Sequence, residues 1–548
     1  MISKKVITGM LLYLSVFWLV FPFISFSSNL YHNVNNYNNA DSNNKEIEKK
    51  LKNSKSWNLT GTLIYIDDKD LSCNWSKTAS ENEWCTGLGT WKDPYLIENV
   101  TIDMQNNTSC CLTIANSTVP FIIQNCQFTN SRLNNSYINP YWLIEGGGIV
   151  LFNVSNGLIT RNTCSSNTYG ICTLYGVNNS IQENYIVYND IGILNSGDNI
   201  MISINIVKNN ELGIIYSGNN NTVSTNTVIN SLYGIIGTVY NSIISKNTVK
   251  NNSNGIMIYG EHNTISSNKV SKNLYGIQFY GENNIISLNI INESKYYGIY
   301  LVWAQNCLII ENSVSYNNRA GILLEQSSYI NISKNECCNN KLYGICINGS
   351  MISPFPPGEL YPSVGNNWIL ENQVNNNSYG IMLNYTLYDE IINNTINNNN
   401  YCGIALYASE YINIGNNNIN GNYYGITLNV SRVNDIRENS ISNCFYGIIL
   451  TSSDFVTIKQ NLINNSFYGI ILTSSDIAII SSNLIYFYKI CIKEQGDCFG
   501  NIIEDNECIK LKKNTQDWTL LIIITVSASL AIAIILFIFF LYRRKISR

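Results

Sequence analysis

Histidine is nearly missing from this chain: His32 and His262 are the only two in 548 residues. That scarcity confines imidazole-based metal binding and acid–base chemistry to isolated points. Charge is thin as well, at 13% Asp, Glu, Lys and Arg, against roughly 25% in ordinary globular proteins. A formal net charge of −4 and a pI near 5.5 leave no basic footprint for nucleic acid. The 16 cysteines never fall in CxxC pairs, which excludes zinc-ribbon spacing. In an exported chain Cys73 could pair with Cys85, or Cys491, Cys498 and Cys508 among themselves. Cys164, Cys172, Cys337, Cys346, Cys402 and Cys444 read instead as small apolar fillers of a core.

What fills the chain is repetition. Tyr-Gly-Ile recurs at Gly170, Gly234, Gly276, Gly298, Gly344, Gly380, Gly425, Gly447 and Gly469, with variants at Gly148, Gly192, Gly213, Gly255, Gly321 and Gly403. The spacing of about 21 to 23 residues is the period of a solenoid coil. Each repeat holds three short apolar–x–apolar segments, which read as three strands with alternate residues inward. Stacked at about 4.8 Å, about fifteen such coils predict an all-β rod. Asn184, Asn205, Asn226, Asn247, Asn268 and Asn289 recur every 21 residues, and Asn417, Asn439, Asn461 and Asn483 continue the column. Asn tolerates left-handed corners and its amide bonds to copies above and below, so the column predicts corner residues in a ladder. The Gly is expected to serve the same corner, and the Tyr before it to point inward as a structural ladder.

The line Gly87-Leu-Gly-Thr-Trp-Lys-Asp-Pro-Tyr-Leu-Ile-Glu-Asn-Val-Thr-Ile-Asp103 resembles the opening segment of right-handed parallel β-helix proteins. With Phe121-Ile-Ile-Gln-Asn-Cys-Gln-Phe128 and the repeats up to Ile509, the chain is similar to the NosD-like, carbohydrate-binding-and-sugar-hydrolase repeat group. That resemblance implies a β-helix and a link to polysaccharides. It also invites comparison with enzymes of the fold, whose motifs are missing. The Gly-His-Gly of the polygalacturonase type and the Asp-Pro-His of the epimerase type do not occur in the coils. Copper delivery, which the NosD name implies, needs clustered His, Met or Cys, and His262 stands alone in the solenoid.

Both ends read as membrane addresses. Residues 1–28 carry Lys4 and Lys5, an apolar run and small residues, the order of a signal peptide or an uncleaved signal anchor. Residues 29–56 form an Asn-rich spacer expected to be disordered, 57–94 a tryptophan-rich N-terminal cap, and 95–510 the β-helix. Residues 519–542 are almost wholly apolar and long enough, at roughly 35 Å of helix, to span a bilayer core of about 30 Å. The basic tail 543–548 places the C-terminus in the cytoplasm and the β-helix outside a single-pass cell-membrane protein. Asn-x-Ser/Thr sequons such as Asn58, Asn153 and Asn429 agree with that side of the membrane. Two insertions, at residues 130–146 with Tyr137, Tyr141 and Trp142 and at 350–365 with four prolines, lengthen corners of the kind that carry recognition.

The predicted ligand site is the outward face of the Gly-Ile strand, where Tyr259, Gln278, Tyr280 and Tyr300 stand in adjacent coils with Trp303 at the next corner. Aromatics at coil spacing along a polar strip suit a polysaccharide, although outward Tyr is also common in strands. Glu261 with His262, and Glu282 one coil on, offer a thin acid–base column. Asp454 and Asp476 stack carboxylate on carboxylate and could hold Ca²⁺, or pair with ordinary cations such as Arg432. No other cofactor is expected. The sequence thus predicts a cell-surface rod for glycan binding, adhesion or envelope structure, with a polysaccharide or a surface glycan or protein as partner. The competing reading is a membrane-anchored polysaccharide lyase or hydrolase using the Asp/Glu columns.

Overall fold

The structure is a computed structural model and describes residues 56–133, 145–349 and 364–512. The signal segment, most of the spacer, the apolar run at 519–542, the basic tail and the cores of both insertions lie outside the described residues. Among the described residues no helix is long and apolar enough to cross a membrane. The chain folds as a right-handed parallel β-helix of about 18 turns. It divides into two compact units, one of residues 1–377 with 384–389 and one of 378–383 with 390–548.

Turns of the first unit repeat three short strands, paired in parallel with their equivalents in neighbouring turns. The exceptions are Cys85–Thr86, antiparallel to Tyr95–Glu98, and the turn of Trp368–Leu370, whose third strand is reduced to a bridge at Gln373. Leu194, for example, pairs with Cys172 above and Ile215 below. Alternation does the sorting. In the second unit Ile404 and Leu406 face the lumen at 2% exposure or less, while Tyr407 beside them faces water. Such side chains contribute about 1.5–3 kcal/mol each in gross burial, which is why a chain so poor in charge and cross-links holds together. The predicted count of about fifteen turns was short because it counted Gly-Ile phrases. The turns built on Ile64–Asp67, Leu112–Ala115 and Leu484–Gln495 have none, and Cys491 stands where the preceding turn has Gly469. The cap region likewise already contains strand: Trp57–Asn58 pairs with Val100–Asp103, and only the short helix Trp75–Glu81 is added outside the coil. Trp75 is buried there, stacked 5.1 Å from Tyr95 and donating to Ser117 Oγ at 3.0 Å.

The asparagine column is a ladder, but its backbone is not left-handed. Asn184 donates both its backbone N–H and its Nδ2 to Oδ1 of Asn205, at 3.0 Å each, and its Nδ2 also reaches the Ile159 carbonyl. Asn205 repeats this onto Asn226, and Asn439 onto Asn461 in the second unit. The positive φ falls on the residue before each Asn, whatever its type: Glu183, Ile204, Thr225, Lys246, Ser267 and Leu288 all lie between 56° and 59°. Buried amides reward that conformation enough to override side-chain preference. Glycine before Ile is also not a left-handed residue. It is there for closeness, since a Cβ on Gly425 would lie 2.5 Å from the Gly447 carbonyl oxygen of the next turn.

One lumen column of the first unit departs from apolar packing. Thr173, Asn195 and Tyr216 occupy successive turns, followed by Gly237. All three side chains are at most 1% exposed, and Thr173 Oγ1, Asn195 Nδ2 and Oδ1 and Tyr216 Oη have no protein partner. Gly237 makes room for the Tyr216 ring, which would lie 2.7 Å from a Cβ there. In the second unit a disulfide joins Cys491 and Cys508 in the last turn. Cys73 and Cys85 are not bonded to each other, and Cys164, Cys172, Cys337, Cys346, Cys402 and Cys444 are buried free thiols.

Candidate glycan-binding face

The tyrosine of Tyr-Gly-Ile does not point inward. It lies on the outer face, half-buried except for the buried Tyr169, beside the outward residues two and four places after the glycine. In the second unit this places Tyr379, Tyr424, Tyr446 and Tyr468 in a wall. Tyr401 completes it, one place earlier in register because Cys402 stands opposite Tyr424. Ring centroids from Tyr379 through Tyr401 to Tyr468 are successively 4.9, 5.1, 5.1 and 4.8 Å apart. A second row, Tyr423, Phe445 and Phe467, stacks behind it at 5.2 and 4.9 Å and meets the first row edge-on. Each row braces the other, and edge-to-face aromatic pairs add about 0.5–1.5 kcal/mol beyond burial.

The wall borders an open groove of about 510 Å³. Its floor is Met382, Ala405, Thr427, Ile449 and Ile471, and its far side is Asn429, Thr451, Thr473 and Gln495 between Tyr407 and the last turn. The register stacks these rows turn upon turn: Thr427 pairs with Ile449, and Asn429 with Thr451. No lining residue is acidic. Burial and the neighbouring tyrosines push the Tyr424 hydroxyl up to about 12 and raise those of Tyr423 and Tyr446. The wall therefore presents neutral phenols that both donate and accept.

In the first unit the predicted strip is partly assembled. Tyr259 and Tyr280 stack at 4.7 Å, and Tyr300 lies 6.2 Å from Tyr275 and 5.1 Å from Tyr297 while its Oη donates to Glu325. Gln278, expected in solvent, is 6% exposed and its Oε1 has no protein partner. It shares the outer face, in register between Met257 and Tyr300 of the adjacent turns. Trp303 projects from a left-handed corner at 67% exposure, without a ring contact to the strip.

The charged columns do less. Glu261 and His262 are exposed, and Glu282 meets them only through its backbone, whose carbonyl accepts the His262 N–H at 3.3 Å. Asp454 Oδ1 accepts the Asp476 N–H at 3.0 Å and its Oδ2 lies 3.4 Å from Arg432 Nε, while Asp476 Oδ1 accepts the Phe499 N–H. These carboxylates stitch turns together rather than converge on a cation. The groove of the second unit was missed because its tyrosines were assigned to the lumen. The pairs Tyr423-Tyr424, Phe445-Tyr446 and Phe467-Tyr468 carried the signal, since adjacent strand residues cannot both point inward.

Three segments of the sequence, 125–284, 214–353 and 358–496, match the family described as periplasmic copper-binding protein (NosD). Together they take in about two thirds of the 548 residues. No curated protein matches the chain in sequence. Among solved structures, the Dettilon tailspike protein is 15% identical over 57% of this chain, with a TM-score of 0.33, and the chain spans 60% of the tailspike's length. The A-module of the mannuronan C-5 epimerase AlgE4 of Azotobacter vinelandii is 14% identical, covering 67% of this chain and 91% of its own, at a TM-score of 0.29. PfbA, a surface adhesin of Streptococcus pneumoniae, is 10% identical over 58% of this chain and 83% of its own, at 0.31. Likeness of this degree says nothing about activity.

Copper does not fit the residues present. Among the described residues no three His, Cys, Asp or Glu side chains come together as a metal site. Most free thiols are buried, and burial holds Cys164 and Cys337 well above the ordinary thiol range, against formation of the ligating thiolate, while the partly exposed Cys73 and Cys498 belong to no such cluster.

Proposed function

The chain belongs to the NosD family, and from that premise we propose that its β-helix serves as a glycan-binding surface rather than a copper carrier. The observation that carries this reading is the tyrosine-walled groove of the second unit. Stacked phenols at one ring per turn, facing a row of Asn, Thr and Gln, offer the apolar faces and hydroxyl partners that sugar rings need. A groove without a carboxylate supports binding over hydrolysis, which requires a carboxylate pair across the scissile bond. Export and anchoring are part of the proposal: the apolar segment 519–542 and the basic residues after it support a single-pass protein that holds the rod outside the cell, in adhesion or envelope structure.

The test is a panel of linear polysaccharides and oligosaccharides offered to the full-length protein in detergent, with affinity and product release both followed. Retention of a linear glycan without cleavage, lost in Tyr446→Ala, is the expected result. Cleavage that depends on Glu261 or Asp454 would replace this reading with the lyase or hydrolase one. A protein that retains no glycan would leave neither.

A further inference from the structure

The groove has a direction. Along its floor Met382, Ala405, Thr427, Ile449 and Ile471 are neutral, and the row ends at Lys493, which pairs in register with Ile471. The aromatic row behind the wall runs Tyr423, Phe445, Phe467 and ends at Lys489, one place before Ile490, which pairs with Tyr468. Both lysines belong to the strand Leu484–Gln495, and their Cα atoms lie at most about 14 Å apart, the length of four extended residues.

Lys489 is held in place by its neighbours. Its Nζ donates to Tyr468 Oη at 2.8 Å and lies 5.2 Å from the centre of the Tyr468 ring and 5.8 Å from that of Phe467. Cation–π contact and the hydrogen bond fix a flexible side chain at the end of the wall. Among the described residues neither lysine is within ion-pair distance of a carboxylate, and Glu494 beside Lys493 is taken up by Asn501 Nδ2 at 2.6 Å. Among the described residues a neutral trough thus ends in two cations with no carboxylate in ion-pair distance.

We propose that the groove seats a linear glycan whose chain is neutral along the tyrosine wall and whose one end carries an anionic sugar, bound by Lys489 and Lys493. This rests on the glycan-binding reading above and adds a ligand class and a polarity to it. The anion enters at the last turn, where Lys493 supplies a free ammonium and Lys489 a positioned one. The uncharged sugars extend toward Tyr379.

The probes are a neutral glucose hexasaccharide, the same chain ending in glucuronic acid, and the same chain with its reducing end oxidised to the aldonic acid. Each is titrated into full-length protein in detergent. One of the two acidic forms is expected to bind about fivefold more tightly than the neutral one at low salt, the scale of a partly exposed ion pair. The advantage disappears at high salt. In the Lys489→Gln, Lys493→Gln double variant the acidic and neutral forms are expected to bind alike, whereas Tyr446→Ala weakens all three and keeps the preference for the acidic form. Neutral binding with no preference for either acidic form, or a preference that survives the double substitution, overturns the inference and leaves the glycan reading standing. Failure of every probe to bind overturns both.

Discussion

Asp389 stands where an asparagine ladder of the first unit expects an amide. At Asn263 and Asn284 the side-chain Nδ2 donates to a carbonyl of an earlier turn, Val239 at 2.9 Å and Gly260 at 3.0 Å. Asp389 keeps half of that pattern: its Oδ1 accepts the Asn367 N–H at 2.8 Å and Asn367 Nδ2 at 3.0 Å. Its Oδ2 replaces the donor and has no partner, in a side chain with no exposure. Burial outweighs the hydrogen bonds from Asn367 and Thr386, and the carboxyl is pushed up from 3.8 to about 6. The folded state therefore holds the proton more tightly than the unfolded chain. Stability from this group is complete below about pH 4, falls as pH rises to about 6, and stays low above it. A displacement from 3.8 to about 6 corresponds to up to roughly 3 kcal/mol. Asp389→Asn restores the donor without a charge. At pH 7.5 it is expected to slow hydrogen exchange of the Asn367 amide, corrected for intrinsic rate, by up to about a hundredfold, and at pH 4 to change it little. Equal protection of both proteins at pH 7.5, or the same gain at both pH values, would refute the reasoning.

Three other substitutions test the scaffold. Asn205→Ala removes the acceptor of two Asn184 donors and one donor to the Ile181 carbonyl, and a loss of about 3 kcal/mol or more is expected in exchange protection of the Asn184 amide. Gly425→Ala sets a methyl 2.5 Å from the Gly447 oxygen and 2.7 Å from Ile441, and should lower the urea midpoint of the second unit by about 1–3 kcal/mol equivalent. Tyr216→Phe removes a buried hydroxyl that has no protein partner and should raise the stability of the first unit by about 1 kcal/mol in urea unfolding; a loss instead would mean that enclosed water holds the oxygen.

Period, strand content and inward Ile, Leu and Val were legible because each follows from local alternation, which one sequence displays in full. The ladder was legible too, since Asn at a fixed spacing has few other uses. What failed was parity across the glycine. Counting residues from Ile448 back to Tyr446 places the tyrosine inward, yet strict alternation does not hold across Gly447, where Gly447 and Ile448 are both buried and Tyr446 is not, and the whole wall of the second unit changes face with it. Left-handed corners were also unreadable residue by residue: Ile204 and Leu288 are poor candidates on their own, and only the buried amide of the following Asn explains them. Gln278 was placed on the right face, but its burial there depends on neighbours in adjacent turns, Met257 and Tyr300 in register with it, that alternation along one strand does not reveal.

The direction of the asparagine ladder has a consequence for how such chains change over generations. Each turn leaves its corner N–H to be satisfied by the Asn of the turn that follows, as Asn184 does with Asn205 and Asn205 with Asn226. Excising one Asn strands donors in its predecessor, whereas excising a whole turn lets the predecessor bond to the next copy and closes the ladder again. Duplication and deletion by complete turns are therefore nearly silent to the scaffold, while point changes at its corners are not. Reach is the heritable quantity this architecture varies most cheaply, and a surface protein could lengthen or shorten in steps of one turn without redesigning any of them.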